Sequence, residues 1–441
     1  MEEKLKNNDI ELVKKINEIN DEYEINKLEN RLKTKYDKEL EEKLKELKTN
    51  KRLKEKSQKN ITKKNYSNNE SIKTEKKNEI CLLLLVKEKH EFQFLYEYYN
   101  LSEGFNNENF DLFINNVKYY SGKKHYFFKS GIFFIKFKFK NNVVNCEDIF
   151  SECENIIAAD LSDLNCENLV KTKNMFKECK NLLHVNLPIS GMKKVEDMSS
   201  MFYNCKNLIN VSNFDSEMVT NMSEMFYHCN FFNIDLTSLN LKNLNNMKSM
   251  FEYCEKLKNV DLHSMNFPNL NDMSNSFSGC QNLIKVNLSS IIIEKEINMS
   301  KLFSNCNSLF NVDFSFSKIE NKVDMSELLC ECRNLKNIDL SSLKAENIKS
   351  LRAMFFNCEN LLSANLSSFK SQNLESVYRM FYKCYNLLNV DLSSLSNINY
   401  DENYNPLMFE DCYSLINVKI KKDLLKLFLN QIEKDIIELV D

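Results

Sequence analysis

The 441-residue sequence is poor in the residues that shape many catalytic sites, with 5 Gly, 3 Pro, 5 His and no Trp. The glycines stand too far apart to form a phosphate-binding loop or a dinucleotide-binding fingerprint. The scattered histidines make a histidine-rich metal centre a poor interpretation. A net charge of −3 excludes a globally basic nucleic-acid binder. We therefore expect no cofactor, no metal and no enzymatic activity.

Long apolar runs are also missing. No stretch approaches the roughly 20 residues that a membrane-spanning helix needs. The first residues, Met1 to Asn8, are polar and do not follow the pattern of a secretory signal. These features predict an intracellular, cytoplasmic protein without a transmembrane segment.

The N-terminal segment, residues 1–53, consists mainly of Lys, Glu, Asn and aliphatic residues. Its apolar residues recur every three or four positions, which predicts a long helix with a narrow apolar seam: Leu12, Ile16, Ile19, Tyr23, Leu28, Leu32, Tyr36, Leu40, Leu44 and Leu47. Such a seam pairs with a second copy, giving a coiled-coil homodimer, or with the rest of the chain. The alternative is a solvated helix that is only partly formed. Residues 54–79 lose this periodicity and are interpreted as a basic, disordered linker.

Residues 80–148 are rich in Phe and Tyr, and apolar residues alternate with Lys in Phe133–Lys140. This pattern predicts four or five antiparallel strands in a small β-rich module that caps the next segment of the chain. Lysines among aromatic residues also occur in single-stranded nucleic-acid sites, so binding of nucleic acid through residues 51–148 is an alternative. The balance of Lys and acidic residues favours the purely structural interpretation.

A repeated phrase, Met-Phe-x-x-Cys-x-Asn-Leu-x-x-Val-Asp-Leu-Ser-Ser, occupies residues 149–420. Eleven cysteines mark its copies, mostly 26 residues apart: Cys153, Cys179, Cys205, Cys229, Cys254, Cys280, Cys306, Cys332, Cys358, Cys384 and Cys412. A constant period predicts a solenoid in which each copy is one coil. The Leu-x-x-Val-x-Leu piece predicts a strand with inward aliphatics, and the Met-x-x-Met-Phe-x-x-Cys piece has the spacing of a helix. The copy after Cys229 is shortened and is expected to form a bulge or a tight turn.

The C-terminal residues 421–441 are expected to form an amphipathic capping helix. Leu425, Phe428, Leu429, Ile432, Ile436 and Leu439 share one face of that predicted helix. The expected fold is thus an α+β repeat solenoid of about eleven 26-residue coils, with a helical N-terminal segment and a cap at each end.

The repeat resembles that of the BspA-type leucine-rich-repeat surface proteins, also called the mycoplasma surface-protein or lipoprotein repeat. Asn221-Met-Ser-Glu-Met-Phe-Tyr-His-Cys229 is close to the family's consensus. The resemblance implies a non-enzymatic leucine-rich-repeat fold used in adhesion or protein binding. It also implies the cell surface as an alternative location.

The 15 cysteines lack the paired spacing of a zinc site, and one cysteine at the same place in each coil is typical of a buried apolar column. An unpaired column of this kind favours a reducing compartment.

Polar columns flank the central aliphatic residue of each predicted strand. They either satisfy loop amides, bind a protein partner, or hold Ca²⁺ or another ligand. The candidate partner-binding residues are Asn210, Asn233, Asp235, Asn259, Asp261, Asn311, Asp313, Asn337, Asp339, Asn389 and Asp391. The predicted function is a protein–protein interaction scaffold. A surface adhesin that binds host or matrix proteins is the alternative.

Overall fold

The computed structural model describes residues 77–86, 90–93, 109–119, 125–128 and 130–440. The last range has short gaps at 189–190, 212–213, 232–235, 237–238, 264, 266, 290, 316–317, 320, 342, 344–346, 370–373, 396–397, 399–405 and 430. The coiled coil expected over residues 1–53 and most of the linker expected over residues 54–79 lie outside the described residues. So does the strand of the shortened copy that follows Cys229.

In the described part of the chain, six strands precede the repeats: β1 (Glu79–Val86), β2 (His90–Gln93), β3 (Phe110–Ile114), β4 (Val117–Tyr119), β5 (His125–Phe128) and β6 (Gly131–Phe139). Strand β1 is apolar from Ile80 to Val86, and every second side chain lies in the core because successive side chains of a strand point to opposite faces. Strand β1 lies between β6 and the first strand of the repeats, and it pairs with both in the antiparallel sense. Four of the N-terminal strands, β1, β3, β4 and β6, therefore share one seven-stranded sheet with the strands of the first three coils, whereas β2 and β5 pair with each other.

The repeats contribute fifteen further short strands: β7 (Ile156–Asp160), β8 (His184–Asn186), β9 (Asn210–Val211), β10 (Asn259–Asp261), β11 (Lys285–Asn287), β12 (Ile292–Ile293), β13 (Ile297–Asn298), β14 (Asn311–Asp313), β15 (Lys318–Ile319), β16 (Val323–Asp324), β17 (Asn337–Asp339), β18 (Ile348–Ser350), β19 (Ser363–Asn365), β20 (Asn389–Asp391) and β21 (Asn417–Lys421). Strands of successive coils pair in parallel. The result is a leucine-rich-repeat-like β-solenoid of about nine turns. This is fewer than the eleven coils expected from the sequence. The first and last strands of the repeats, β7 and β21, also pair with strands outside the repeats.

The helix expected in each Met-x-x-Met-Phe-x-x-Cys piece is absent from the described coils, which corrects the α+β prediction. Two residues four apart, such as Asn174 and Glu178, adopt positive φ near 55–60° and interrupt any helix. The backbone amides of this piece then donate alternately to carbonyls of the next coil and to carbonyls of their own coil. The Phe176 amide donates to the carbonyl of Met201 in the next coil at 2.9 Å, whereas the Cys179 amide donates to Phe176 in its own coil at 3.1 Å. In the described coils this piece is thus a series of turns whose backbone amides donate to carbonyls of the same coil or of the next one.

Identical side chains from successive coils form columns in the core. The phenylalanine rings stack nearly parallel, with centroids 5.7 Å apart for Phe176 and Phe202 and 5.6 Å apart for Phe277 and Phe303. Leu329 occupies the phenylalanine position of one coil, and its carbonyl accepts the Cys358 thiol as the phenylalanine carbonyls do in other coils. No coil can complete these contacts alone, so neighbouring coils stabilise one another.

A hydrogen bond from each thiol to the preceding coil explains why cysteine occupies this column. The Sγ of Cys280 donates to the carbonyl oxygen of Phe251 in the preceding coil at 3.1 Å, and that oxygen also accepts the Cys254 amide at 3.1 Å. Ten cysteines repeat this contact: Cys179, Cys205, Cys229, Cys254, Cys280, Cys306, Cys332, Cys358, Cys384 and Cys412. Cysteine is a small apolar residue that keeps one weak donor, which is what this site requires.

The C-terminal capping helix predicted over residues 421–441 is wrong. Its only α-helical part is the single turn α1 (Leu425–Phe428), flanked by 3₁₀ turns at Lys422–Leu424 and Lys434–Ile436. Strand β22 (Ile437–Val440) comes next and pairs in parallel with β21, because the open edge of the last coil supplies backbone partners. None of the helices among the described residues is long and apolar enough to cross a membrane.

Candidate partner-binding face

The strands that pair in parallel from coil to coil carry the predicted binding residues on one surface. In Leu257–Leu262, for example, the three aliphatic residues are buried, whereas Lys258, Asn259 and Asp261 are exposed. The same arrangement recurs in Leu335–Leu340. We call the surface formed by these outward positions the strand face.

The register of the strands aligns equivalent residues into straight columns. Asn259 lies opposite Lys285, which lies opposite Asn311, and Asn337, Ser363 and Asn389 are aligned in the same way. Neighbouring strands of a sheet are about 4.8 Å apart, so each column repeats its chemistry at that interval. Asn210, Asn311 and Asp313 lie on β9 and β14 of this array, and Asn233 and Asp235 lie outside the described residues.

The acidic column consists of the residues that directly follow the central aliphatic of each strand, and its side chains stabilise the turn after the strand. Oδ1 of Asp261 accepts the backbone amide of His263 at 2.9 Å, and Asp339 accepts that of Ser341 at 2.9 Å. Asn365 makes the same contact with the Ser367 amide at 3.1 Å, so only an acceptor oxygen is needed there. Hydrogen bonds from the Ser341 hydroxyl and amide lower the pKa of Asp339, which therefore stays charged. This column ends each strand with a side-chain turn and also presents negative charge.

The asparagine column is more open to solvent. Asn259, Asn337 and Asn389 are exposed in strands β10, β17 and β20. One contact links neighbouring coils, from the Ser363 hydroxyl to Oδ1 of Asn337 at 2.9 Å. An exposed amide has both donors and an acceptor, so a row of them can hydrogen-bond to the backbone or polar side chains of a partner.

A third column on the strand face was missed by the sequence analysis. In five coils a large, exposed apolar side chain directly follows the leucine that precedes the strand, and we call these residues the apolar row: Ile284, Phe310, Leu362, Leu388 and Ile416. Phe310 is 66% exposed and Ile416 is 61% exposed. In the sequence this column is marked by two consecutive apolar residues, such as Leu309–Phe310. Both residues have the character of core residues, so the sequence alone does not show that the second one is exposed. The row forms two groups, in two and in three neighbouring coils, separated by the coil of Lys336. Grouped exposed apolar side chains of this kind mark interaction sites.

The basic residues of the N-terminal sheet are largely paired with acids. Lys118 and Lys140 lie 3.0 and 3.9 Å from the Asp111 carboxylate, and Lys136 lies 3.6 Å from Glu79. This pairing neutralises positive charge that a nucleic-acid phosphate would need, so it weakens the alternative of nucleic-acid binding through residues 51–148.

The turns on another side of the coil border a polar depression of about 410 Å³, between the Tyr253 ring and the Lys301 and Arg333 side chains. Both cations already face carboxylates: Lys301 lies 3.3 Å from Glu327, and Arg333 lies 2.9 Å from Glu331. The depression therefore offers little unpaired charge to a ligand.

The cysteine thiols are unsuited to nucleophilic or redox chemistry. Burial raises the pKa of Cys153 and of Cys412 to about 12, so these thiols stay protonated at neutral pH. Among the described residues, no three His, Cys, Asp or Glu side chains are grouped so that they could hold a metal ion.

The repeats were compared with known families and structures. The family model described as "Mycoplasma protein of unknown function, DUF285" matches residues 128–208, 185–290 and 297–422. The chain is similar to a leucine-rich repeat protein from Bacteroides ovatus ATCC 8483, with 19% identity and a TM-score of 0.38, over 69% of this chain and 88% of that one. It is also similar to a leucine rich cell surface protein from Faecalibacterium prausnitzii A2-165, with 15% identity and a TM-score of 0.21, over 54% of this chain and 79% of that one.

No curated protein matches the sequence. The family model, in contrast, covers more than half of the chain. The protein therefore belongs to the family described as Mycoplasma protein of unknown function, DUF285.

Proposed function

We propose that this protein is a non-enzymatic scaffold that binds a protein partner across its strand face. The observation that carries the proposal is the alignment of exposed asparagine, acidic and apolar side chains in three straight columns. A repeated surface of this kind offers the same contacts at each coil, and extended partners engage many coils together.

The chemistry of the face suits a protein rather than a small ligand. The strands present amides and carboxylates beside exposed aliphatic and aromatic groups, and a partner that covers them buries apolar area while the amides pair with polar groups. The described columns lie on the outer surface of a sheet, whereas small-molecule sites are concave.

The test uses the full chain as bait in extracts of its own cells. The face variant carries Asn259→Arg, Asn337→Arg and Asn389→Arg. The control variant carries Gln281→Arg and Glu375→Arg, which are exposed outside the strand face and add the same total charge. We expect a partner that wild type and control retain and that the face variant loses by at least tenfold. Equal retention by all three proteins, or equal loss by both variants, would overturn the proposal.

The surface-adhesin alternative differs in location and in the partner's origin. The family resemblance supports it, because BspA-type repeats are named for surface proteins. Labelling of intact cells with a membrane-impermeant amine reagent separates the two. Labelling before lysis supports an adhesin that binds host or matrix proteins, and labelling only after lysis supports an internal scaffold.

A further inference from the structure

The polar depression on the turn side lies where small residues occupy a position that is aromatic in other coils. That position is two residues before the column cysteine, and four coils have an aromatic ring there: Tyr203, Tyr227, Phe356 and Tyr382. Ser278 and Ser304 occupy it in two of the coils that line the depression, whose volume is about 410 Å³. The absence of a ring at both positions opens this space.

Gly279 lies one residue after Ser278, and its backbone conformation does not explain why glycine is present. The equivalent Asn204 and Asn305 adopt φ of 57° and 59°, close to the +72° of Gly279. What glycine provides is space, because a Cβ there would lie 2.5 Å from the Tyr253 ring. The Tyr253 ring therefore lies over Gly279 and lines the depression, and 39% of this tyrosine stays exposed.

Glycine at position 279 also removes a hydrogen-bond acceptor. In two other coils the asparagine equivalent to Asn305 donates from Nδ2 to a glutamate one coil earlier: Asn204 to Glu178 at 2.6 Å and Asn357 to Glu331 at 2.9 Å. The residue one coil before Asn305 is Gly279, which has no side chain to accept. Within the described part of the chain, Nδ2 of Asn305 is thus a donor without a protein acceptor, and Asn305 lines the depression.

The charged residues that line the depression balance, with two carboxylates and two cations: Glu252, Glu331, Lys301 and Arg333. An ionic ligand therefore gains little net attraction there. The other lining groups are serine hydroxyls, asparagine amides and the Tyr253 ring. A saccharide matches this set, because its hydroxyls hydrogen-bond to amides, hydroxyls and charged groups while its C–H face packs against an aromatic ring.

We propose that the polar depression binds a neutral saccharide, which packs against the Tyr253 ring and accepts a hydrogen bond from Nδ2 of Asn305. The volume of about 410 Å³ lies near the lower end of the roughly 300–1,000 Å³ of small-molecule sites, which suits a mono- or disaccharide. The depression is on the turn side, away from the strand face, so the inference does not rest on the proposed function.

Saturation-transfer NMR of the full chain tests the site. The probes are neutral mono- and disaccharides built from glucose, galactose, mannose, fucose and N-acetylhexosamines, each at millimolar concentration, with N-acetylneuraminate and glucosamine as the anionic and cationic sugars. Asn305→Asp removes the donor, and Ser304→Tyr fills the depression with a residue that Tyr382 shows a coil accommodates. The control, Asn259→Asp, adds the same charge as Asn305→Asp on the strand face.

We expect at least one neutral sugar to bind the wild type and the control equally, and to bind both site variants at least tenfold more weakly. Circular dichroism at neutral pH should be the same for all four proteins. Binding of only the charged sugars, no binding of any neutral sugar, or equal binding by all four proteins would overturn the proposal.

The position of the bound sugar is measured by fluorine NMR of a chain labelled with 3-fluorotyrosine. The Tyr253 signal is identified by its loss in Tyr253→Phe, and that of the exposed Tyr413 by its loss in Tyr413→Phe. We expect the sugar to shift the Tyr253 signal and to leave the Tyr413 signal unchanged. A bound sugar that leaves the Tyr253 signal unchanged lies elsewhere on the protein, and that result would also refute the assignment.

Discussion

The cysteine column makes the folded array sensitive to alkali. Burial raises the pKa of each column thiol well above its ordinary value of 9.0, as for Cys205, Cys280 and Cys358. Below pH 9 the thiol is protonated in both the folded and the unfolded chain, so folding does not depend on it. Above pH 9 only the unfolded chain releases the proton, so the free energy of unfolding falls as the pH rises.

The size of the effect is set by the number of thiols. At pH 10, one pH unit above the unfolded value, each protected thiol favours unfolding by about 1.4 kcal/mol. The ten cysteines that donate to a carbonyl of the preceding coil therefore remove on the order of 10 kcal/mol, which is comparable with the whole stability of an ordinary domain. We expect the coils to unfold between pH 9 and 10.

Circular dichroism from pH 7 to pH 11, with a thiol reductant present, monitors the unfolding. The decisive comparison is a variant with Cys280→Ala and Cys306→Ala. At pH 7 it should be less stable than the wild type, by roughly 1 kcal/mol for each sulfur removed from the core. Its loss of stability between pH 7 and 10 should nevertheless be about a fifth smaller, since two of ten thiols are gone. An identical loss in both proteins would refute the assignment of the alkaline transition to the thiols.

Three further outcomes are expected from the coil geometry. Leu262→Asp, which buries a charge, should unfold several neighbouring coils, whereas Asp261→Ala should cost only about 1 kcal/mol; equal losses in urea melts would contradict the inward and outward assignment. A Cβ at Gly279 would lie 2.5 Å from the Tyr253 ring, at a φ of +72°. Gly279→Ala should therefore cost about 2 kcal/mol, and about half of that with Tyr253→Ala, as a double-mutant cycle can measure. Asn360→Ala should cost about 1 kcal/mol, because its side-chain amide donates to a carbonyl of the preceding coil at 2.9 Å, and local amide exchange should accelerate around it.

The repeat period and the inward columns could be predicted because both depend on residue type at a fixed interval. The helical interpretation failed for a local reason. Met198, Met201, Phe202 and Cys205 have helix-like spacing, but Ser200 adopts positive φ, which no feature of that residue announces. Carbonyls of the next coil accept the hydrogen bonds of these backbone amides, whereas an isolated helix would form such bonds within itself.

The two other misses arose from contacts between segments distant in sequence. The C-terminal residues Ile437–Val440 have an amphipathic pattern, yet the open edge of β21 pairs with them as a strand. Phe310 and Ile284 have the character of core residues, and only the direction of each strand's side chains places them outside. Which face a residue occupies depends on the register of the whole coil, and a single sequence does not determine it.

The alternation of backbone partners in each coil has an electrostatic consequence. On the turn side, the Phe176 N–H points toward the following coil, at Met201, whereas beside the strands the Leu183 N–H points toward the preceding coil, at Ile157. The peptide dipoles of these two columns run in opposite directions along the solenoid and offset one another in part. An α-helix of similar length would carry about half a charge at each end. The two ends of this array are closed by strand pairing instead, of β1 with β7 at one end and of β22 with β21 at the other.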